Sequence, residues 1–79
     1  MFDLQDATEY VESTYNYGIS VYDYENHVRV TNGSAAMYGD IEVRNDELLI
    51  EGERYGRRIQ SSHERSQDGL ESALSELGL

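Results

Sequence analysis

The middle of the chain alternates apolar and polar residues between short turn signals, and this pattern constrains the fold more than any other feature. In residues 19–24 and 27–31, aliphatic side chains recur at alternate positions, as on a strand with one buried face. Glu25-Asn26, Asn32-Gly33 and Asn45-Asp46 are dipeptides suited to tight turns. Because short strands joined by tight turns pair with their chain neighbours, the pattern predicts an antiparallel meander.

The alternation predicts four strands and leaves a fifth element open. Gly52 is expected to end the fourth strand, and residues 54–60 form either a short fifth strand or an arm. On the third strand, Ile41 and Val43 are expected to face inward. The four predicted strands are residues 19–24, 27–31, 37–44 and 47–51.

A helix is predicted before the strands, over residues 4–16. Asp3 occupies the N-cap position, with Asp6 three residues on, and Gly18 supplies a stop. At 100° per residue, one face carries the residues expected to pack on the sheet. They are Leu4, Ala7, Tyr10, Val11, Thr14 and Tyr15.

A second helix is predicted after the strands, over residues 69–77. Asp68 and Glu71 match a capping box, and Gly78 occupies the C′ position. The predicted apolar stripe consists of Leu70, Ala73, Leu74 and Leu77. No proline, repeat or linker interrupts the chain, so residues 1–79 are expected to form one domain. The predicted fold is α+β, with an N-terminal helix, a four- or five-stranded antiparallel meander and a C-terminal helix in two layers.

Acidic residues outnumber basic ones. The chain has 16 aspartates and glutamates against six arginines and no lysine, a formal net charge of −10. This charge disfavours encounters with bare nucleic acid or an anionic membrane and favours a basic protein partner. The sequence also lacks cysteine, an apolar run of the roughly 20 residues that span a bilayer, and a basic leader. A cytoplasmic location is expected.

No catalytic motif is recognisable. The two histidines, His27 and His63, lie in polar segments expected to be exposed, so no enzyme activity is predicted. The acid pairs Asp40/Glu42 and Glu51/Glu53 each project from one strand face, but they match no metal-binding loop. We interpret them as solvated surface, and neither a metal nor a cofactor is predicted.

Tyrosines and acids on the predicted outer surface are the candidates for partner contact. Tyrosine provides a large, stiff contact area with a polar tip. An alternative is that some of these rings cover the sheet beneath a helix. On the first helix, acids at i, i+3 spacing form a row suited to a groove lined with lysine and arginine. The predicted partner-binding residues are Asp6, Glu9, Glu12, Tyr22, Asp23, Tyr24, Glu25, Tyr38, Asp40 and Glu42.

Arginines cluster between residues 53 and 65, against the charge of the whole chain. They are Arg54, Arg57, Arg58 and Arg65, with Tyr55 among them. Such a segment can contact nucleic acid, contact an acidic patch on a protein partner, or pair with acids of the same molecule. The sequence leaves these three roles open.

In size, acidity, tyrosine content and lack of a catalytic motif, the chain resembles the small phage-encoded anti-CRISPR proteins and related acidic DNA mimics. The resemblance is one of composition, covers the whole chain and rests on no shared motif. It implies an inhibitor that occupies a basic nucleic-acid-binding surface of a CRISPR surveillance complex or nuclease, by charge mimicry or steric occlusion.

Two other functions fit the composition. Acid enrichment without lysine also occurs in salt-adapted proteins, so a small haloarchaeal or viral housekeeping domain or subunit is an alternative. A small dimeric regulator that uses the arginine cluster on DNA is another, and it predicts a gel shift with DNA alone. As an inhibitor, the protein is expected to be a monomer or homodimer without direct nucleic-acid contact.

Overall fold

Five strands pair in chain order into one antiparallel sheet, and one helix precedes and one follows them. The computed structural model describes residues 1–15 and 17–79, and at residue 35 the backbone alone. The predicted α+β class and meander are confirmed, with five strands. The elements are α1 (Leu4–Thr14), β1 (Ser20–Asp23), β2 (Val28–Asn32), β3 (Ser34–Arg44), β4 (Glu47–Arg54), β5 (Arg57–Glu64) and α2 (Gln67–Glu76).

Helix α1 begins with a complete capping box. The Asp3 carboxylate accepts a hydrogen bond from the Asp6 N–H at 3.1 Å, and the Asp3 N–H donates to the Asp6 carboxylate at 2.9 Å. The backbone hydrogen bond lowers the pKa of Asp3, because it stabilises the ionised carboxylate. The helix ends at Thr14, two residues earlier than predicted, because Tyr15 is extended and its half-buried ring packs on the core. Asn16, the last residue of the predicted helix, lies outside the described residues.

Helix α2 begins at Gln67, two residues earlier than predicted. Its N-cap is Ser66 rather than Asp68, since the Ser66 hydroxyl accepts from the Gly69 N–H at 3.1 Å. Asp68 lies in the first turn, where its negative charge stabilises the helix by interacting with the positive end of the helix dipole.

The C-terminal end of α2 confirms Gly78 as the C′ residue. Gly78 has a φ of 84° and donates its N–H to the Ser75 carbonyl, and Leu79 donates to the Leu74 carbonyl. These two hydrogen bonds form a Schellman motif, which ends the helix and satisfies its last carbonyls.

The strands are longer than predicted at the β3, β4 and β5 positions. Gly52 does not end β4 but lies buried in its interior, opposite Gly39. Only glycine fits this position, because a Cβ at Gly52 would lie 2.0 Å from the Tyr38 carbonyl oxygen. The turn follows three residues later, at Tyr55 and Gly56, which both have positive φ (49° and 85°), as a type I′ turn requires. Strand β3 also begins three residues earlier than predicted, and β5 covers residues 57–64 instead of 54–60.

Both helices cover the same face of the sheet. Helix α1 contacts β1, β2 and β3, whereas α2 contacts β4 and β5. The Tyr10 hydroxyl of α1 donates to the Glu71 carboxylate of α2 at 3.1 Å, and removal of this hydroxyl from water raises the pKa of Tyr10. The buried apolar residues form one cluster: Ala7, Val11, Val28, Val30, Met37, Ile41, Leu48, Ile50, Ile59, Leu70, Ala73, Leu74 and Leu77.

The Thr8 side chain generates a prediction about stability. Thr8 is a buried residue of α1, and its hydroxyl oxygen has no hydrogen-bond partner among the described residues. Valine has nearly the same shape without the desolvated hydroxyl, so Thr8→Val should raise the free energy of unfolding by about 1 kcal/mol. Urea denaturation followed by circular dichroism measures this change. Thr14→Val, at an exposed position of the same helix, should change stability by less than about 0.5 kcal/mol. Equal effects at both positions would contradict the explanation.

Gly69 generates a second prediction, because two effects there have opposite signs. In an exposed helix, Gly→Ala stabilises by about 1 kcal/mol. However, a Cβ at Gly69 would lie 1.8 Å from the Glu64 carbonyl oxygen, so α2 would have to move away from the end of β5. Gly69→Ala should therefore lower the free energy of unfolding by at least about 1 kcal/mol. Ser72→Ala, on the exposed side of α2, is the control and should be neutral or slightly stabilising; a stabilised Gly69→Ala variant would disprove the close contact.

Candidate functional site

The face of the sheet opposite the two helices is open among the described residues. Strand alternation and register place one set of side chains there, which we call the outer sheet face. The expectation that Tyr22, Tyr38, Asp40 and Glu42 point outward agrees with this arrangement, and no described helix covers the rings. The outer sheet face consists of Tyr22, Arg29, Tyr38, Asp40, Glu42, Leu49, Glu51, Glu53, Arg58, Gln60 and Ser62.

Arg29 lies on β2, between Tyr22 and Asp40 in one cross-strand row of the outer sheet face. Its guanidinium donates two hydrogen bonds to the Asp40 carboxylate, at 2.8 and 2.9 Å, in a bidentate pair. The guanidinium carbon also lies 4.7 Å from the centroid of the Tyr38 ring, within cation–π range. Donation to the Asp40 carboxylate raises the pKa of Arg29 above its ordinary value, because the hydrogen bonds stabilise the charged guanidinium. Arg29 therefore compensates the charge of the Asp40 carboxylate and orients the Tyr38 ring.

A stacked aromatic pair borders the Arg29–Asp40 contact. The rings of Tyr24 and His27 stack with centroids 4.7 Å apart, and the His27 Nε2 lies 3.9 Å from an Asp40 carboxylate oxygen. His27 is thus half-buried, not exposed as the sequence suggested. Tyr22 and Tyr24 are 49% and 47% exposed, so both rings offer apolar area to a partner.

The acids of the outer sheet face are only partly free. Glu42 lies 3.6 Å from the Arg44 guanidinium, and Glu51 lies 3.4 Å from that of Arg58. These four side chains are largely exposed, so the ion pairs are weak and a partner can compete for them. Glu53 forms no ion pair within the described part of the chain. A shallow depression of about 500 Å³ is lined by Asp40, Glu42, Arg44, Leu49 and Glu51, among other residues.

The fold separates the predicted partner-binding residues into different surfaces. The acids of α1, namely Asp6, Glu9 and Glu12, belong to the helical layer on the other side of the sheet. Asp6 is also engaged in the capping box. Asp23 pairs with buried Val28 and therefore lies on the helix-covered face at the end of β1, and Glu25 lies in the exposed β1–β2 connection. Tyr22, Tyr24, Tyr38, Asp40 and Glu42 remain together.

His63 belongs to a polar cluster between β5 and α2, whereas the sequence predicted that it would be exposed. Its Nε2 and the Ser61 hydroxyl both contact one Glu76 carboxylate oxygen of α2, and Ser61 also lies 3.0 Å from the same Nε2. A Ser–His–acid relay requires the acid on the other ring nitrogen, so this geometry does not activate Ser61. Within residues 1–15 and 17–79 there is also no group of three His, Cys, Asp or Glu able to hold a metal ion.

The arginine cluster has three different environments. Arg58 pairs with Glu51, and the Arg65 guanidinium donates to the backbone carbonyls of Phe2 and Asn45. Arg54 and Arg57 are opposite each other across the β4–β5 turn, and neither has a carboxylate within 4.0 Å in the described structure. Intramolecular pairing therefore accounts for part of the cluster.

No protein-family model, curated protein or solved structure matches this chain. None of the helices that the structure describes is long and apolar enough to cross a membrane.

The Arg29–Asp40 pair generates a prediction about the outer sheet face. A double-mutant cycle with Arg29→Gln and Asp40→Asn should give a coupling energy of about 0.5–1 kcal/mol, since the contact is bidentate and partly buried. The matched cycle with Arg58→Gln and Glu51→Gln tests a single contact between exposed groups and should give nearly zero. Chemical denaturation measures both cycles, and 1 M salt should reduce the first. Equal coupling energies would show that Arg29 does not organise the face.

Proposed function

We propose that this protein is a non-catalytic inhibitor that binds a basic surface of another protein through its outer sheet face. The observation that carries the proposal is the uncovered sheet face, on which Tyr22 and Tyr38 flank the Arg29–Asp40 pair and glutamates form the rim, with Tyr24 at its border. Tyrosine and arginine at the centre of a patch, with charged residues around them, is the usual composition of a protein-binding hot spot.

The net charge of −10 supports a basic target. It attracts a positively charged surface over long distances, speeds the encounter and makes it sensitive to salt. A surface that normally binds nucleic acid has this charge, and its arginines pair with carboxylates as they do with phosphates. The compositional resemblance to anti-CRISPR proteins makes a CRISPR surveillance complex or nuclease the proposed target, which places the protein in the cytoplasm of a phage-infected host.

Occlusion fits the outer sheet face better than charge mimicry. Asp40 is neutralised by Arg29, and three arginines lie on or beside the face, so its carboxylates do not form an uninterrupted row. We therefore assign affinity to the tyrosines, and assign orientation and association rate to Glu51 and Glu53 at the rim. The sequence prediction did not include these two glutamates among the partner-binding residues.

Two charge-matched variants test which surface binds. Glu51→Gln/Glu53→Gln alters the outer sheet face, and Glu9→Gln/Glu12→Gln removes the same charge from α1. With a purified CRISPR effector complex and its labelled target DNA, the wild-type protein should prevent DNA binding in a fluorescence-anisotropy assay. The sheet variant and Tyr22→Ser should each weaken inhibition about tenfold or more. The helix variant should stay within about twofold of the wild type, since it changes only the long-range field.

The outcomes separate the proposal from its alternatives. Loss of inhibition in the helix variant alone would transfer the interface to α1 and refute the sheet-face proposal. A gel shift of DNA by the protein alone would favour a DNA-binding regulator. Unfolding below about 0.5 M salt, followed by circular dichroism, would favour salt adaptation, because self-repulsion would then need screening. Absence of inhibition across a panel of effector complexes would refute the proposed target class.

A further inference from the structure

Strand β5 is the long free edge of the sheet. It spans eight residues, pairs only with β4 in the described structure and follows β4 without a register shift. The opposite edge, β1, has four residues. Natural proteins usually shorten such an edge, bulge it or add proline, because its free backbone groups pair with other chains. None of these three protections occurs in β5, although charged side chains, which also protect edges, are present at Arg57, Arg58 and Glu64.

The pairing of β4 and β5 determines which backbone groups point outward. In the type I′ turn, Arg54 and Arg57 form a hydrogen-bonded pair, and the Arg65 N–H donates to the Asp46 carbonyl at 3.1 Å, eight positions further along both strands. Hydrogen-bonded and non-hydrogen-bonded pairs alternate between these two ends. The N–H and C=O groups that point away from β4 are consequently those of Arg58, Gln60, Ser62 and Glu64.

Three of these four residues have no other backbone partner in the part of the chain that the structure describes. No described group hydrogen-bonds to the backbone of Arg58, Gln60 or Ser62 outside the ladder with β4. The Glu64 carbonyl is different, since it accepts from the Ser66 N–H at 2.9 Å at the start of α2. The edge is therefore open along most of its length.

The sequence of this edge is complementary to itself about Ser61. If two β5 strands pair antiparallel around a two-fold axis at Ser61, Arg58 of each copy lies opposite Glu64 of the other, and Gln60 lies opposite Ser62. Both pairs are of the hydrogen-bonded kind, which the outward groups require. Opposite charges in direct cross-strand pairs stabilise a sheet. Glu64 also gains a cation where its present neighbour, directly opposite on β4, is Glu47, a like charge.

The two neighbouring registers compatible with the outward groups are poorer, and axes further from Ser61 pair fewer residues of β5. An axis at Gln60 places Arg58 opposite Ser62 and pushes Glu64 against the Gly56 turn. An axis at Ser62 places Gln60 opposite Glu64 and leaves Arg58 opposite Ser66, which is already part of the α2 cap. Only the axis at Ser61 pairs both charges and keeps the pairing within β5.

We infer that a second copy of this chain occupies the β5 edge, in a two-fold dimer centred on Ser61. Gln60 and Ser62 exchange four backbone hydrogen bonds across the axis, and each Glu64 N–H donates to the Arg58 carbonyl of the other copy. Directly opposed residues lie on the same side of a sheet. The dimer therefore joins the two outer sheet faces into one continuous surface, with all helices on the other side.

The charge of the chain opposes this dimer, and the local contacts act against that repulsion. Each copy carries a net charge of −10, but screening limits the repulsion to about 8 Å at physiological salt. Arg58 releases only its weak, exposed contact with Glu51 at 3.4 Å. A small interface of this type gives a weak dimer, with dissociation in the micromolar range. The inference does not depend on the proposed inhibitory function.

Analytical ultracentrifugation of the full chain tests the dimer. The protein concentration should cover about 10–500 μM, the range of dissociation constants expected for a small interface. The wild type should shift from monomer to dimer across this range at physiological salt. Ser62→Pro should remain a monomer, because proline removes an outward N–H that β4 does not use. Ser62→Ala keeps the N–H and should dimerise as the wild type does. Circular dichroism shows whether each variant is folded.

Charge exchange gives a test without proline. Arg58→Glu places two glutamates opposite each other in the dimer, and Glu64→Arg places two arginines opposite each other. Each single variant should therefore raise the dissociation constant of the dimer about tenfold or more. The double variant Arg58→Glu/Glu64→Arg restores opposite charges and should recover it. A wild-type protein that is monomeric at every concentration would overturn the inference. A dimer that persists in folded Ser62→Pro, or single variants that the double variant does not rescue, would place the contact elsewhere and also overturn it.

Discussion

Antiparallel pairing through tight turns is the constraint on which the rest of this structure depends. Once β3, β4 and β5 are in register, each side chain belongs to one of two faces, and a shift by one residue would exchange them. Met37, Ile41, Leu48, Ile50 and Ile59 of these strands belong to one apolar face, which two short helices cover. Among the residues that the structure describes, no element covers the second face. That face therefore carries the polar and aromatic residues available for recognition.

The arrangement of charge follows from the same pairing. Cross-strand neighbours bring Arg29 to Asp40 and Arg58 near Glu51, so part of the acidity is neutralised inside the molecule. The acids of α1 lie in the other layer and share no surface with the tyrosines of the sheet. The net charge thus acts as a long-range field, whereas the tyrosines and the Arg29–Asp40 pair define a local contact area. This division favours steric occlusion over mimicry of a phosphate row.

In our proposal, the β5 edge is a second, independent recognition element. Its backbone groups and its charges are both arranged symmetrically about Ser61. In the dimer, the aromatic centres of both outer sheet faces lie on one surface, so a repetitive or two-fold target can engage both at once. Two linked weak contacts give a much higher affinity than either contact alone. Dimerisation would therefore increase the affinity of a surface that is modest in one copy.

Sequence pattern alone determined the α+β class, the chain order of the helices and strands and the inward position of Ile41, because periodicity and turn dipeptides are local. Local signals also placed the Asp3 cap and Gly78. They failed where a competing local signal existed: Asp68 was taken for the cap that Ser66 forms, and Gly52 was taken for the end of a strand that continues to Arg54.

Only the tertiary structure decided which residues form the outer sheet face. A two-residue turn at Asn32-Gly33 would have paired Arg29 with Ala36, but an irregularity at Thr31 and Asn32 shifts the register and pairs Arg29 with Asp40. The strand that continues through Gly52 likewise brings Glu53 beside Tyr38. Such pairings depend on how distant segments close around the core, and the free energy of that closure is not contained in any single stretch of sequence.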